Sequence, residues 1–321
     1  MREVSYLTGA SWRGGALDPN GLPGAETPNF VALSEAARAQ DIAFTVRRWD
    51  DDALLAHPPE AALIRSCWDY PERVDAFLAR LDALEAAGVK VINPPALVRW
   101  NVRKRYLNEL AAAGAPTIPT HFVERCDARA VLRAFDTFDA AEIVIKPEVS
   151  AGSRDTIRIA RNSWSDMDLA RAPRGAAMLQ PFLPAIVHDG ERSLFYFGGA
   201  YAYAIIKRPA PGSWFANIGD TQFAAHEPSS ADCAAADLVM NAAPPGLVYA
   251  RVDLVTDGTG RSALIELEAV EPHLFLAFAP DGAALFVRAL GAALGEGPRP
   301  AAPRGGPDDV PETGRGGVLG L

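Results

Sequence analysis

Arg251-Val-Asp253-Leu-Val255 and Ala263-Leu-Ile-Glu266-Leu-Glu268, joined by Thr256-Asp-Gly-Thr-Gly-Arg261, read as a β-hairpin whose two faces carry different chemistry. Side chains alternate along a strand, so Arg251 and Asp253 share a face, as do Glu266 and Glu268. If Asp253 pairs with Glu266, the same register sets Arg251 opposite Glu268. One face then carries a cation and three carboxylates. Val252, Leu254, Ile265 and Leu267 are expected on the other face, against a core. Clustered carboxylates repel one another unless a cation neutralises them. Magnesium does so by taking carboxylate oxygens and sharing its remaining positions with phosphate. Asp253, Glu266 and Glu268 are therefore candidate metal ligands; a solvated acidic face balanced by Arg251 is the other reading.

Phosphate-binding features lie upstream. The apolar run Ile143-Val-Ile ends in Lys146, and Ser150-Ala-Gly152-Ser153 follows as a small-residue turn. Such a turn can present backbone N–H groups to phosphate oxygens. No GxxxxGK[ST] loop is present. Lys104 stands at the start of a helical stretch, where a solvated lysine is the alternative. Gln180-Pro-Phe182-Leu183 ends another apolar run, and Glu191 follows the turn His188-Asp-Gly190. An apolar slot with free backbone groups and a carboxylate for ribose hydroxyls suits adenosine. Lys207-Arg208 puts two cations at a strand end, with Asn217-Ile-Gly219-Asp220 in the loop beyond. Only four of the 31 basic residues are lysine, and Lys104, Lys146 and Lys207 all fall in these segments. A lysine kept in an arginine-rich composition suggests a need for a compact charge on a flexible stem.

Residues 3–8, 42–49, 61–66 and 89–92 read as strands, and residues 29–40 and 71–88 as helices between them, with 11–28 as a long loop. That alternation predicts a small parallel α/β domain. Further on, helices are expected at 97–113, 127–135, 231–240 and 282–294. Strands are expected at 117–124, 143–147, within 150–159, at 178–182, within 192–207, and at 247–255 and 262–270. The Gly-, Pro- and Arg-rich stretch 296–321 reads as a disordered tail.

A net charge of -9 argues against nucleic acid as the main partner. Three dispersed cysteines, without a CxxC pair, fit incidental thiols in a reducing cytoplasm. Residues 1–8 contain no leader-like apolar run, and no uncharged stretch reaches membrane-spanning length. A cytoplasmic protein with neither membrane nor nucleic-acid partner is expected.

The order of these segments resembles the ATP-grasp superfamily, in particular its glutathione synthetase-like branch and the D-cycloserine-forming cyclo-ligases. The resemblance spans residues 1–295 and implies an α/β (α+β ATP-grasp) fold. It implies a parallel α/β substrate-side domain at 1–98, a small lobe or lid at 99–183 and a catalytic lobe at 184–295, the two α+β lobes clamping ATP. In such enzymes two lysines contact the nucleotide phosphates, which Lys104 and Lys146 match. A mobile small-residue loop covers them, matched by Ser150, Gly152 and Ser153. Gln180, Phe182 and Leu183 match the adenine linker, with Glu191 a nucleotide contact. Arg251, with Lys146 and Lys207, falls to the catalytic set, and Asp253, Glu266 and Glu268 to the metal ligands. Asparagine is common where Glu268 stands, and the extra charge should alter metal affinity or number. Arg65-Ser-Cys-Trp68-Asp69-Tyr70 and Trp49-Asp50-Asp51 look like the cyclo-ligase group and suggest a substrate-facing edge; a core role is the alternative for Trp49 and Trp68.

The implied chemistry is attack of a substrate carboxylate on ATP, giving an acylphosphate that a nitrogen nucleophile then captures. ATP, two Mg2+ ions (or Mn2+) and an amino-acid-like carboxylate substrate are expected, in a homodimer or homotetramer. Ring closure, joining of two molecules, a small-molecule kinase and a non-catalytic nucleotide-binding protein are the competing readings. His188, His226 and His273 are the available candidates for a general base.

Overall fold

The short apolar runs of the first hundred residues become strands that alternate with helices. The computed structural model describes residues 1–10, 18, 22, 24–152, 154–215 and 221–295. Strands β1 (Arg2–Thr8), β2 (Ile42–Arg48), β3 (Ala61–Ser66) and β4 (Lys90–Ile92) form a parallel sheet in the order β2-β1-β3-β4. Helices Thr27–Arg38 and Val74–Ala86 make the main crossovers. In the second, Phe77, Leu78, Leu81 and Leu84 recur at helical spacing and are all buried.

A second sheet is antiparallel, with β5 (His121–Val123), β6 (Glu142–Pro147), β7 (Ile157–Ala160) and β8 (Ala177–Pro181) in the order β5-β8-β6-β7. Helix Ala128–Phe138 covers it, capped by the Asp127 carboxylate. The third sheet holds the hairpin. Its strands are β9 (Glu191–Phe197), β10 (Ala200–Arg208), β11 (Gln222–His226), β12 (Tyr249–Thr256) and β13 (Ser262–Glu268), in the order β11-β10-β9-β12-β13.

The N-terminal and C-terminal sheets share a core. Val4, Tyr6 and Leu63 belong to one apolar cluster with Phe195, Tyr249 and Phe286 of the C-terminal region. Asn93 adds a polar tie. Its amide donates to Tyr249 O (2.9 Å) and Ala269 O (2.8 Å) and accepts from Val248 N (2.7 Å). Such fully partnered buried amides hold register tightly, because any slip leaves several groups unpaired.

Strand β13 is an edge, and its free backbone groups are covered. Asn101 accepts from Ala269 N and donates to Leu267 O, each at 2.8 Å. Tyr106 Oη accepts from Leu267 N at 3.0 Å. The extended chain at Pro116–Ile118 bonds both backbone groups of Leu264. A paired edge offers no template to another chain.

The structure alters several expectations. The helix expected at 97–113 is two helices, Pro95–Asn101 and Tyr106–Ala112. The strand expected at 117–124 shrinks to β5, because Pro116 and Pro119 lack the donors a longer ladder needs. The run 192–207 is two strands, turned by Gly198 and Gly199 at positive φ. Strand β11 and the short helices Ala53–Ala56, Asp166–Arg171 and Ala185–His188 were not anticipated. Most of the expected loop at 11–28, Ser153, Asn217, Gly219, Asp220 and the expected tail at 296–321 lie outside the described residues.

Candidate active site

The hairpin has the register that alternation requires: Asp253 opposite Glu266 and Arg251 opposite Glu268. Beyond Asp253 the ladder slips, so that Leu254 faces Leu264 and Ile265 is the extra residue of a β-bulge. A bulge re-aims side chains. Leu264 therefore joins Val252, Leu254 and Leu267 in the core, correcting the expectation for Ile265. Ile265 turns instead towards Ile118, Leu183 and Val255.

Each acid on the polar face has a cationic partner. The buried Asp253 carboxylate accepts from Arg251 Nε (2.9 Å) and Nη2 (2.8 Å) and from Ser193 Oγ (2.5 Å), with Lys207 Nζ at 3.5 Å. Burial alone would raise its pKa; Arg251, Lys207 and Ser193 together hold it below the ordinary value. Glu268 meets Arg251 Nη2 at 2.5 Å, and Glu266 meets Lys104 Nζ at 3.0 Å. The Glu268 carboxyl is raised to about 7 by burial, against the pull of Arg251 and with the push of Glu266 and Asp253. Among the described residues no three His, Cys, Asp or Glu side chains are already gathered around one point as a metal cage. Arg251 bridges Asp253 and Glu268, and Lys104 holds Glu266.

Two cavities flank this face. The larger, about 350 Å3, is lined by Lys104, Lys146, Arg251, Glu266, Glu268 and Glu271, by Ser150–Gly152, and by Trp68, Phe223, His273 and Phe275. The smaller, about 60 Å3, is walled mostly by apolar side chains. Ile118, Val144, Phe182, Leu183, Trp214, Phe215 and Ile265 line it, with Gln180 and Glu191 supplying polarity. Lys146, Thr156 and Glu266 belong to both, so the cavities meet at a wall carrying one cation and one carboxylate.

Lys146 is half-buried, and among the described residues its ammonium has no ion-pair partner. Burial pushes its pKa below the ordinary lysine value, and Glu266 and Glu191 only partly oppose this. Lys104 lies on the turn between two helices, not on a helix. It is buried and also donates to Ser150 O at 3.1 Å, which ties it to the small-residue turn. Glu191 hydrogen-bonds Lys207; burial pushes its carboxyl up while Lys207 opposes. Lys207 is fully buried between Glu191 and Asp253 and lines neither cavity. Asp253 lines neither as well. Gly190 permits the Glu191–Lys207 arrangement. It sits at φ +86, and a Cβ there would lie 2.7 Å from Lys207 O.

Trp49 is core, packed edge-on against Phe77 with Nε1 on Asp69, whereas Trp68 reaches the larger cavity. Of the candidate bases, His273 lines the larger of these two cavities and His188 and His226 line neither. Its Nδ1 accepts from Phe275 N (3.2 Å), and its Nε2 donates to Ala25 O (3.0 Å). Nε2 also lies 3.1 Å from Asn29 Nδ2, so both ring nitrogens are engaged within the protein. Sequence reasoning missed Ile118, Trp214 and Ile265 around the apolar slot and Glu271 in the larger cavity. Only the solitary charge of Glu271 beside Pro272 could have drawn notice.

The family model for the N-terminal domain of D-cycloserine synthetase DcsG matches residues 5–93. The cycloserine biosynthesis protein DcsG of Streptomyces lavendulae is 35% identical over 273 residues, which cover 80% of this chain and 91% of that protein. The crystal structure of D-cycloserine synthetase DcsG superposes with a TM-score of 0.79 at 31% identity, covering 91% of this chain and 99% of the other. The ATP-grasp ligase PsnB complexed with its minimal precursor gives a TM-score of 0.62 at 17% identity, over 91% and 99% of the two chains. D-alanine–D-alanine ligase from Bacillus anthracis gives 0.63 at 13%, over 92% and 96%. The last two show the fold alone. With two sheets framing an apolar slot, a lysine wall and an acidic hairpin, and with a curated relative matched over nearly its whole length, the chain belongs to the D-cycloserine synthetase family of ATP-grasp ligases.

Proposed function

We propose that this chain closes a D-cycloserine-type ring by activating the carboxylate of a serine derivative with ATP. Family membership makes it an ATP-consuming, C–N bond-forming ligase. The observation that carries the rest is the wall at Lys146, Thr156 and Glu266, shared by a small slot walled mostly by apolar side chains and a larger cavity that carries the charged groups Lys104, Arg251, Glu268 and Glu271. ATP with its base against Ile118, Phe182, Leu183 and Ile265 would pass its triphosphate across that wall. Lys104, Lys146 and the turn at Ser150 and Gly152 would hold the phosphates, and Ser153 follows Gly152 in the sequence.

In the reaction, the substrate carboxylate attacks the γ-phosphorus and ADP leaves. Lys146 offsets the charge spread over the phosphoryl oxygens. The side-chain nitrogen then attacks the acyl carbon, a proton leaves that nitrogen, and inorganic phosphate departs. Arg251, which lines the cavity, supplies positive charge beside the acyl oxygen. The donor set fits magnesium. Glu266 and Glu268 offer hard oxygens to the cavity, and Mg2+ takes one or two carboxylates and completes its shell with water and phosphate. Asp253 would join them by exchanging an Arg251 hydrogen bond. A bound Mg2+ supplies Lewis-acid neutralisation of the triphosphate; two ions, or Mn2+ in their place, belong to this reading. Lys207 serves by fixing Glu191 and Asp253. The divisions at residues 98, 183 and 295, a cytoplasmic location and a homodimer or homotetramer complete the proposal. Among the described residues no helix is long and apolar enough to cross a membrane.

Breaking the amide bond of the D-cycloserine ring gives a D-serine with nitrogen on its side-chain oxygen. The test is ADP release with Mg2+ across D- and L-serines carrying a free or acylated nitrogen on that oxygen, alongside ordinary amino acids. Turnover confined to the D-serine series, with a cyclic product, is expected. ADP release only when two amino acids are supplied together would replace ring closure with intermolecular ligation.

A further inference from the structure

The larger cavity carries one acid that the reaction above does not use. Of the three carboxylates lining it, Glu266 is paired with Lys104 and Glu268 with Arg251. Glu271 has neither ion pair nor side-chain hydrogen bond among the described residues, although it is only 7% exposed and its Oε2 is sealed from solvent. The nearby buried cation, Arg65, places its Nη2 on Pro272 O (2.7 Å) and Glu26 (3.5 Å), and its Nε and Nη1 have no hydrogen-bond partner among the described residues, so it makes no bond to Glu271. An unpaired buried carboxyl is costly, so its retention calls for a partner.

The segment carrying Glu271 is held rigid, which removes relaxation as the remedy. Arg65 grips Pro272 O, Tyr203 Oη donates to Leu274 O (2.6 Å), and His273 is fixed at both ring nitrogens. Asn29 Oδ1 accepts from Leu276 N (3.2 Å). The acid thus waits in a preorganised frame beside Trp68 and Phe275, in the wall of a cavity that Lys104, Lys146 and Arg251 also line. Burial, and then Glu268, push the Glu271 carboxyl well above the ordinary range, against Arg65, Arg251 and Lys104. A cationic ligand would reverse that cost.

We propose that Glu271 is the specificity-determining anchor for the substrate's α-ammonium group, orienting an amino acid so that its carboxylate meets the Lys146 wall. The proposal rests on the ligase reading and deepens it. It also explains chemoselectivity. An α-amine held protonated on Glu271 has no lone pair for the acylphosphate, which leaves the side-chain nitrogen as nucleophile.

The test uses the full chain with saturating ATP and Mg2+. It compares the D-serine derivative that is turned over with its analogue bearing hydrogen in place of the α-amine. The wild-type chain should favour the parent by about 30-fold or more in kcat/KM. Glu271→Gln should raise the parent's KM by about 30-fold or more, with the KM for ATP within about 2-fold, and should collapse the preference for the amine. Glu271→Asp, which keeps the charge, should restore most of that preference. A Glu271→Gln enzyme that keeps both KM and preference overturns the proposal. So does a wild-type enzyme that accepts the amine-free analogue equally, a result that needs no variant to fold. Either result leaves the ligase reading intact, since ADP release with the parent persists; only absence of ADP release with every substrate removes both.

Discussion

Lys146→Met is expected to slow single-turnover ADP formation by about 100-fold or more while leaving the melting temperature unchanged or slightly raised. Lys146 lines both cavities, and among the described residues it has no ion pair to lose. Its ammonium is held in surroundings that already push its pKa down through burial. Methionine fills similar space without the desolvation cost, so the fold gives up little. The phosphoryl group gives up much, because a cation placed where charge develops acts in a water-poor site and needs no rearrangement. Rapid-quench ADP formation and a thermal melt, run on one preparation, check both halves. Near-normal turnover would remove Lys146 from the reaction.

The second large effect separates two carboxylates that sequence alone treats as equals. Glu266→Gln should lower turnover by about 100-fold or more, with a smaller loss of stability than a change at Asp253. Its side chain is 31% exposed, and its partner Lys104 keeps a bond to Ser150 O. The Lys104 ammonium is itself buried, so removing its counter-charge costs some stability, though less than at the fully buried Asp253, which serves two cations. Asp253→Asn should abolish turnover and also destabilise the fold by about 3–5 kcal/mol, because Arg251 and Lys207 lose their shared buried counter-charge. The melting temperature should fall by roughly 6 °C or more. The pH dependence has a defined sign. The folded pKa of Asp253 lies below its unfolded value, so its contribution is fully present above about pH 4 and is lost as pH falls through the folded value. Glu266→Gln is thus the cleaner test of ligand chemistry. An Asp253→Asn chain as stable as wild type would contradict the buried network.

What was legible in the sequence follows from what is local. Strict alternation around a Gly-rich turn gives the register of β12 and β13, and apolar runs broken by helical spacing give the parallel sheet. The bulge at Ile265 was illegible, because an isoleucine suits either face and only the tertiary context turns it towards the apolar slot. The break before Tyr106 was hidden for a similar reason. Leu97, Val98, Val102, Tyr106, Leu107 and Leu110 keep helical spacing through the turn and all are buried. That turn swings Lys104 inward onto Glu266 and Ser150, where an unbroken helix favours a solvated lysine. Glu271 was illegible as a site residue, since its significance lies in the partners it lacks, and those belong to distant segments.

The central claim is activation of a carboxylate as an acylphosphate, and isotope transfer tests it most directly. The D-serine derivative that is turned over should be prepared with 18O in both carboxylate oxygens and converted with unlabelled ATP in unlabelled water. Attack of the carboxylate on the γ-phosphorus, followed by nitrogen capture, predicts that each inorganic phosphate released carries one 18O from the substrate. Inorganic phosphate free of 18O, with the label kept in the product or exchanged into water, would contradict the account.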